Sequence, residues 1–202
     1  MVTARWWYYI RVFTLTLIQS YLCCHGEMYA LNGGEILAIL KRCPVTSKYF
    51  KEVSTRDINI PTNPYLPLKT KGPLANKAPV AAYVLNTGYT RAGIHWVLVL
   101  FSSPYNIFFD SFGRSPEKLC LESQAKLRNT SILYNTKKLQ HPKSSVCGHW
   151  TIYYAYFLCQ GQTLSEINSR FSSTNFASND KIVYNFVKKL AIKCRAPLTR
   201  SV

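Results

Sequence analysis

Helices and strands gathered into separate runs, rather than alternating, are the arrangement that this 202-residue chain predicts. Two observations carry it. Three apolar, strand-like runs follow one another between residues 80 and 110 with only turns between them. Two helical runs come later, one apolar all round from Cys147 and one amphipathic from about Asp180. Strands joined by short turns form a meander, not a βαβ repeat. One domain accounts for the length and leaves enough chain to bury a core. The low charged fraction, 17%, argues against disorder.

Along the chain, residues 1–27 differ from the rest. Arg5 precedes Trp6-Trp7-Tyr8-Tyr9-Ile10, Arg11 interrupts, and Val12 to Cys24 is mostly apolar. That stretch is short for a membrane span. It has the length of a signal-peptide core, with Cys24-His25-Gly26 as a poor cleavage site. The alternative is a hydrophobic extension over about residues 1–30, ahead of a functional domain at 31–202, and the many thiols favour it. A first helix is expected over Gly34 to Arg42, with Ile36, Leu37, Ile39 and Leu40 on its apolar side and Pro44 ending it. Residues 54–79 hold five of the ten prolines and read as an irregular surface connection.

The first strand is Val80 to Leu85, closed by Asn86-Thr87-Gly88. The second, His95 to Phe101, is apolar on both faces and so belongs in the middle of a sheet. Ser102-Ser103-Pro104 turns the chain into a third, Tyr105 to Asp110. From Cys147 to Cys159 an apolar run of more than three turns marks a buried helix. The last helix spans about Asp180 to Lys193, with Ile182, Phe186 and Leu190 repeating beside Val183 and Val187, and Asn179 or Asp180 placed to cap it.

The charge balance is lopsided. Twenty-five Lys and Arg face nine Asp and Glu, a net +16. Such an excess favours anionic partners, nucleic acid first among them, although a solvated surface with few acids would look the same. Lys137, Lys138 and Lys143 sit just before Cys147, and Lys188, Lys189 and Lys193 near the C-terminus. The seven cysteines are odd in number and contain no C-x-x-C, so neither a zinc site nor a full disulfide framework is suggested and no metal is expected. Reduced thiols in a reducing intracellular compartment are the simpler reading.

Chemistry concentrates in four residues, in the order His95, Asp110, Gln140, Cys147. A thiol at the start of a buried helix meets the positive end of the helix dipole and unpaired N–H groups, both of which stabilise a thiolate. Gly148 would leave room there for a substrate carbonyl. His95, at the head of a central strand, can take the thiol proton. By simple alternation its neighbour Trp96 points to the opposite face. Asp110 ends the next strand, and strand ends meeting at one edge would bring it to the imidazole. Alone, Asp110 reads equally as a turn-capping acid. Gln140 lies seven residues before Cys147. Its amide can donate to an oxyanion beside the Cys147 N–H. His149, about 200° around the helix from Cys147, cannot be the base.

Leu85-Asn86-Thr87, Gly93-Ile94-His95-Trp96, Phe109-Asp110-Ser111-Phe112-Gly113, and Gln140 with Cys147-Gly148 together resemble the adenovirus protease (adenain) family, within the SUMO and ubiquitin-like protease superfamily. Leu40 to Pro44 and the Tyr184-Asn185-Phe186 helix resemble it more loosely. The resemblance covers about residues 31–202. It implies an α+β, cysteine-proteinase-like fold: a central mixed sheet packed by helices, with the nucleophile at the N-terminus of a buried helix. It implies a cysteine endopeptidase with Cys147 as nucleophile, His95 as base, Asp110 as orienting acid and Gln140 as oxyanion donor, and with Trp96 and Gly148 at the substrate. The family cleaves precursors after small, glycine-containing motifs, and its best known members process virion proteins with DNA as cofactor. Two departures matter. Adenoviral enzymes often have Glu where Asp110 stands, whereas ubiquitin-like proteases have Asp. Human-type adenoviral enzymes form a disulfide with an activating peptide through a Cys where this chain has Asn129, with Cys120 nearby but displaced, so that activator is not expected.

The resulting expectation is a monomeric maturation protease acting on protein precursors in the host nucleus or virion. It needs no bound cofactor and is open to stimulation by non-specific DNA through the six lysines named above. A SUMO or ubiquitin-like deconjugating protease is the alternative, and an inactive nucleic-acid-binding module the alternative of another class.

Overall fold

Asn32 opens the first helix, α1 (Gly33–Arg42), with a reciprocal cap. Its Oδ1 accepts from the Glu35 backbone N–H at 3.0 Å, and the Glu35 carboxylate accepts from the Asn32 N–H at 2.9 Å. Two orphan donors of the helix end are satisfied by this exchange. Ile36, Ile39 and Leu40 are fully buried, and the helix stops at Cys43 before Pro44, as expected. The structure is a computed structural model and describes residues 28–54, 79–88, 95–102, 105–119 and 131–198. The hydrophobic extension at 1–27 and almost all of the proline-rich connection lie outside the described residues, as do Gly93, Ile94, Cys120 and Asn129.

Five strands form one mixed sheet in the order β1 to β5. They are β1 (Phe50–Ser54), β2 (Pro79–Asn86), β3 (Trp96–Ser102), β4 (Asn106–Phe109) and β5 (Ile132–Tyr134). The expected meander is its centre: β2, β3 and β4 pair antiparallel. β3 is central and buried along its whole length, which its two apolar faces required. The edges went unforeseen. β1 joins β2 in parallel and β5 joins β4 in parallel. Both are short and partly polar, with Lys51, Glu52, Leu133 and Tyr134 exposed, which is how edge strands blunt further pairing and why they carry little hydrophobic signal.

Helix α2 (Cys147–Cys159) is buried along most of its length between the sheet, α1 and the last helix. Trp96, Leu98 and Leu100 of β3 face this helical layer, while Val97, Val99 and Phe101 face a smaller cluster on the other side. Phe109 and Tyr154 stack with ring centres 3.5 Å apart, locking β4 to α2. A short helix, α3 (Leu164–Asn168), leads to α4 (Phe176–Lys193). Helix α4 starts four residues earlier than expected and is capped by Asn175, not by Asn179 or Asp180. Those two are buried within the helix and spend their side chains on other elements. Ile182 also departs from expectation: it is exposed, and the buried stripe is Val183, Tyr184, Val187, Leu190 and Ala191. Among the described residues no helix is long and apolar enough to cross a membrane.

After β4 the chain reverses tightly, the Gly113 N–H donating to the Asp110 carbonyl at 2.9 Å. Gly113 has φ +71°, and a Cβ there would stand 2.7 Å from the Lys137 carbonyl carbon and from the Thr136 oxygen. Both neighbours are backbone and cannot swing aside. Gly113→Ala should therefore cost about 2–4 kcal/mol in denaturant unfolding, from overpacking added to left-handed strain. Gly161→Ala, at φ +85° but with nothing near its Cβ, should cost only the strain, about 1 kcal/mol. Equal midpoints for the two variants would contradict this.

Candidate active site

The antiparallel register pairs Leu98 with Phe109, so the head of β3 and the tail of β4 are neighbours. His95, just before β3, and Asp110, just after β4, thereby meet: the His95 Nε2–H donates to Asp110 Oδ1 at 2.5 Å. The half-buried Cys147, at the first position of α2, stands close enough to the imidazole to act on its charge and raise it. No side chain caps this helix end and no acid lies in its first turn, so its leading N–H groups face the thiol's surroundings uncompensated. The sequence-predicted His95, Asp110 and Cys147 are thus brought together.

Asp110 is fully buried. Burial pushes its carboxyl up, but hydrogen bonds from His95 and Arg114 and their charges outweigh that and hold it at about 2. It is therefore an acceptor only. Its partner ring must carry a proton on Nε2, which leaves Nδ1 with a lone pair for the thiol. Burial pulls the His95 imidazole down, yet Asp110 and Cys147 more than offset it and leave it raised above its ordinary value. Phe112 lies against the ring, centres 5.1 Å apart. Asn135 braces the carboxylate's backbone from β5's side: its Oδ1 accepts from the Asp110 N–H at 3.1 Å and its Nδ2 donates to the Asp110 carbonyl at 2.8 Å.

Gln140 is buried on the loop that leads to Cys147. The Ser111 hydroxyl donates to its Oε1 at 2.6 Å, and the Ser111 carbonyl accepts from the N–H groups of Leu139 and Gln140. This fixes which way the amide points. Its Nε2 donates to the Ser144 carbonyl at 2.9 Å and lies 3.1 Å from the Ser144 hydroxyl. An oxyanion would have to draw one N–H away from that hydroxyl. Asp180, at the start of α4, anchors the same loop by accepting from the His141 N–H at 3.1 Å and from the Trp150 indole at 2.8 Å.

No protein-family model and no curated protein sequence matches the chain. Solved structures do. ChlaDub1 from Chlamydia trachomatis matches over 85% of this chain and 94% of its own, with a TM-score of 0.57 at 15% identity. The ASFV pS273R protease matches over 81% of this chain and 68% of its own, with a TM-score of 0.48 at 17% identity. The chain therefore shares the α+β fold of ChlaDub1, a mixed sheet packed by helices.

Within this fold, two expectations need correcting. Trp96 does not turn away from the site, because His95 precedes the strand and escapes its alternation. The Trp96 indole donates to the Leu31 carbonyl at 3.2 Å and walls a cleft of about 520 Å³ with Asn32, Gly33, Leu37, Val53 and Asn86. Nor does Gly148 leave space open beside the sulfur. A Cβ there would meet Ile36 at 3.0 Å, Leu31 at 3.2 Å and Trp96 at 3.4 Å, so its smallness lets α2 seat against α1. His149 is buried against Tyr29 and Tyr184, and burial drives its imidazole down to about 3, far from a base's range. Cys159 is core, as expected, with its thiol pushed up to about 12 by burial and by Cys43. The residues missed were Ser111, Arg114, Asn135 and Asp180. Ser111 lay inside a motif already marked. Asn135 and Asp180 act across 25 and 30 residues, which no local pattern reports. Among the described residues no group of His, Cys, Asp and Glu is placed to hold a metal.

Asp110 also links the site to stability. Its carboxyl falls from 3.8 to about 2 on folding. Folding therefore favours the ionised form, and that contribution is complete above about pH 4 and lost as pH falls toward 2. By linkage it amounts to about 2 kcal/mol. Denaturant melts should show the native protein losing this stability between about pH 4 and 2, with Asp110→Asn lacking that part of the decline. Parallel acid limbs in the two proteins would contradict the assignment.

Proposed function

We propose that the chain is a cysteine endopeptidase. The observation that carries this reading is the convergence of Cys147, His95 and Asp110 at one helix start. With Nε2–H committed to Asp110, Nδ1 takes the thiol proton. The sulfur then attacks the scissile carbonyl carbon, and the carbonyl's π electrons move to oxygen. The oxyanion faces the leading N–H groups of α2, with the Gln140 amide as the side-chain donor. Collapse expels the amine, which takes its proton from the His95 imidazolium. Water, deprotonated by His95, then cleaves the thioester. The fold shared with ChlaDub1 supports the same reading.

The substrate we assign is a protein precursor cut after a glycine-containing motif. Support comes from the cleft beside Trp96, where Gly33 and Gly34 present backbone without side chains to whatever lies along it. A second reading, deconjugation of a SUMO- or ubiquitin-like tail, is favoured by Asp at position 110 and uses the same chemistry. The two separate by substrate: peptides with internal glycine motifs against a ubiquitin-like protein carrying a C-terminal reporter. A reducing compartment fits Cys43, Cys147, Cys159 and Cys194, which are all unpaired thiols. The enzyme we envisage works as a monomer without a bound cofactor.

The test of the nucleophile is labelling and turnover together. Iodoacetamide should modify Cys147 ahead of Cys159 and abolish peptide hydrolysis, and Cys147→Ala should be inactive while Cys159→Ala is not. Full turnover by Cys147→Ala would overturn the reading.

DNA is the partner we propose for the +16 charge. Lys137, Lys138 and Lys143 are exposed beside the loop before Cys147, and Lys138 lies over the Phe176 ring at the head of α4. Lys188, Lys189 and Lys193 are exposed near its other end, about 18 Å along the helix by its rise per residue. Two phosphate-contacting groups would each contribute to a linear fall of log K with log salt, at about −0.9 per phosphate. Neutralising either group should reduce the slope by two to three phosphates' worth, about 1.8–2.7, on two unrelated duplexes alike. An unchanged slope, or a preference for one duplex, would remove DNA as the partner.

A further inference from the structure

The carboxylate that orients His95 is shared. Asp110 Oδ1 accepts from His95 Nε2 at 2.5 Å and from the Phe112 N–H at 3.2 Å. Oδ2 accepts from the Arg114 backbone N–H at 3.0 Å and from its Nε at 2.7 Å, and a second guanidinium nitrogen lies 3.4 Å from Oδ1. The turn through Gly113 folds Arg114 back onto the acid four residues before it. There the guanidinium also lies over Phe112, 5.2 Å from the ring centre, and Phe112 in turn lies against the His95 imidazole. Arg114 is partly exposed, whereas Asp110 is fully buried. Among the described residues, the charged or titratable groups acting on His95 are Asp110 and Cys147, and those acting on Asp110 are His95 and Arg114.

We propose that Arg114 is a positioning residue that divides the Asp110 carboxylate between itself and His95, and so sets the upper pH at which the thiolate–imidazolium pair persists. This rests on the peptidase reading of the site. One buried negative charge faces two cations. Arg114 carries its charge permanently, while His95 carries one only when it has taken the thiol proton. The guanidinium therefore weakens what Asp110 does for the imidazolium: it neutralises the carboxylate and repels the second cation across it. In return it fills Oδ2, which would otherwise sit buried with a single backbone donor, and leaves Oδ1 as the only oxygen His95 can use. Geometry is gained at the expense of imidazolium stability. Asp110 and His95 alone would make a pair that survives to higher pH but is less firmly aimed.

The test compares the native enzyme with Arg114→Gln, Arg114→Met and Arg114→Lys. In the pH dependence of kcat/KM on a glycine-motif peptide, the two neutral variants should show the alkaline limb moved up by about one pH unit or more, since removing a nearby like charge raises an imidazole by that order. Arg114→Lys, which keeps the charge but not the fork, should keep the native limb while losing kcat. If Arg114 merely held Asp110 in place, its loss would weaken the acid's support of His95, and the limb would stay or move down; either result overturns the proposal. The same comparison is made without turnover by NMR titration of the His95 ring in Cys147→Ala and in Cys147→Ala with Arg114→Gln. A rise of about one unit in the second supports the division of charge, and no rise contradicts it. If the native protein hydrolyses no peptide, the peptidase reading fails, and the titration still decides the Arg114 claim. A single neutral variant that folds is enough for either measurement.

Discussion

A single buried carboxylate imposes the constraint on which the rest of the site depends. Asp110 can stay ionised when buried because its lone-pair directions are met by donors, and those donors come from two separate pieces of chain. His95 comes from the head of β3, Phe112 and Arg114 from the turn after β4, and Asn135 grips the backbone beside it. Removing any of these would leave a buried acceptor short, at about 1–3 kcal/mol each. The charge thus stabilises the site only when the site is correctly assembled. It also dictates chemistry: an acid that can only accept forces Nε2 to donate, and the lone pair is left where the thiol is.

The loop before Cys147 is held by the same economy of means. Ser111, next to Asp110, ties Gln140 by side chain and backbone. Asp180 ties His141 and Trp150 from the other side. His95, through Asp110, and Gln140 are therefore both tied to one short segment after β4, and Cys147 follows at the next helix start. The tight approach of α2 to α1 through Gly148 sets the depth of that start, since bulk there would push the thiol away from the imidazole.

Much of this was legible in the sequence, where a local physical signal existed. The two-faced apolar run 95–101 foretold a central strand and the all-round apolar run from Cys147 a buried helix, while His95 and Asp110, marked from their places at strand ends, are hydrogen-bonded neighbours. The edges β1 and β5 were not legible, because an edge strand suppresses the hydrophobic alternation that would reveal it. The cap of α4 falls at Asn175 because Asn179 and Asp180, good cap residues by type, have side chains drawn into tertiary bonds 40 and 39 residues away, at Leu139 and His141. Trp96 was misplaced because alternation was extended one residue beyond the strand that enforces it. Arg114 shows the other limit. It follows a marked motif directly, yet its weight comes from a reversal at Gly113 that brings it back to the acid.

The account stands or falls on which ring nitrogen of His95 holds the proton. Nitrogen-15 NMR of the imidazole above its titration answers this directly. The account predicts the Nε2–H tautomer in the native protein, with a strongly hydrogen-bonded N–H signal that disappears in Asp110→Ala. A ring protonated on Nδ1, or an Nε2–H signal indifferent to Asp110, would contradict it.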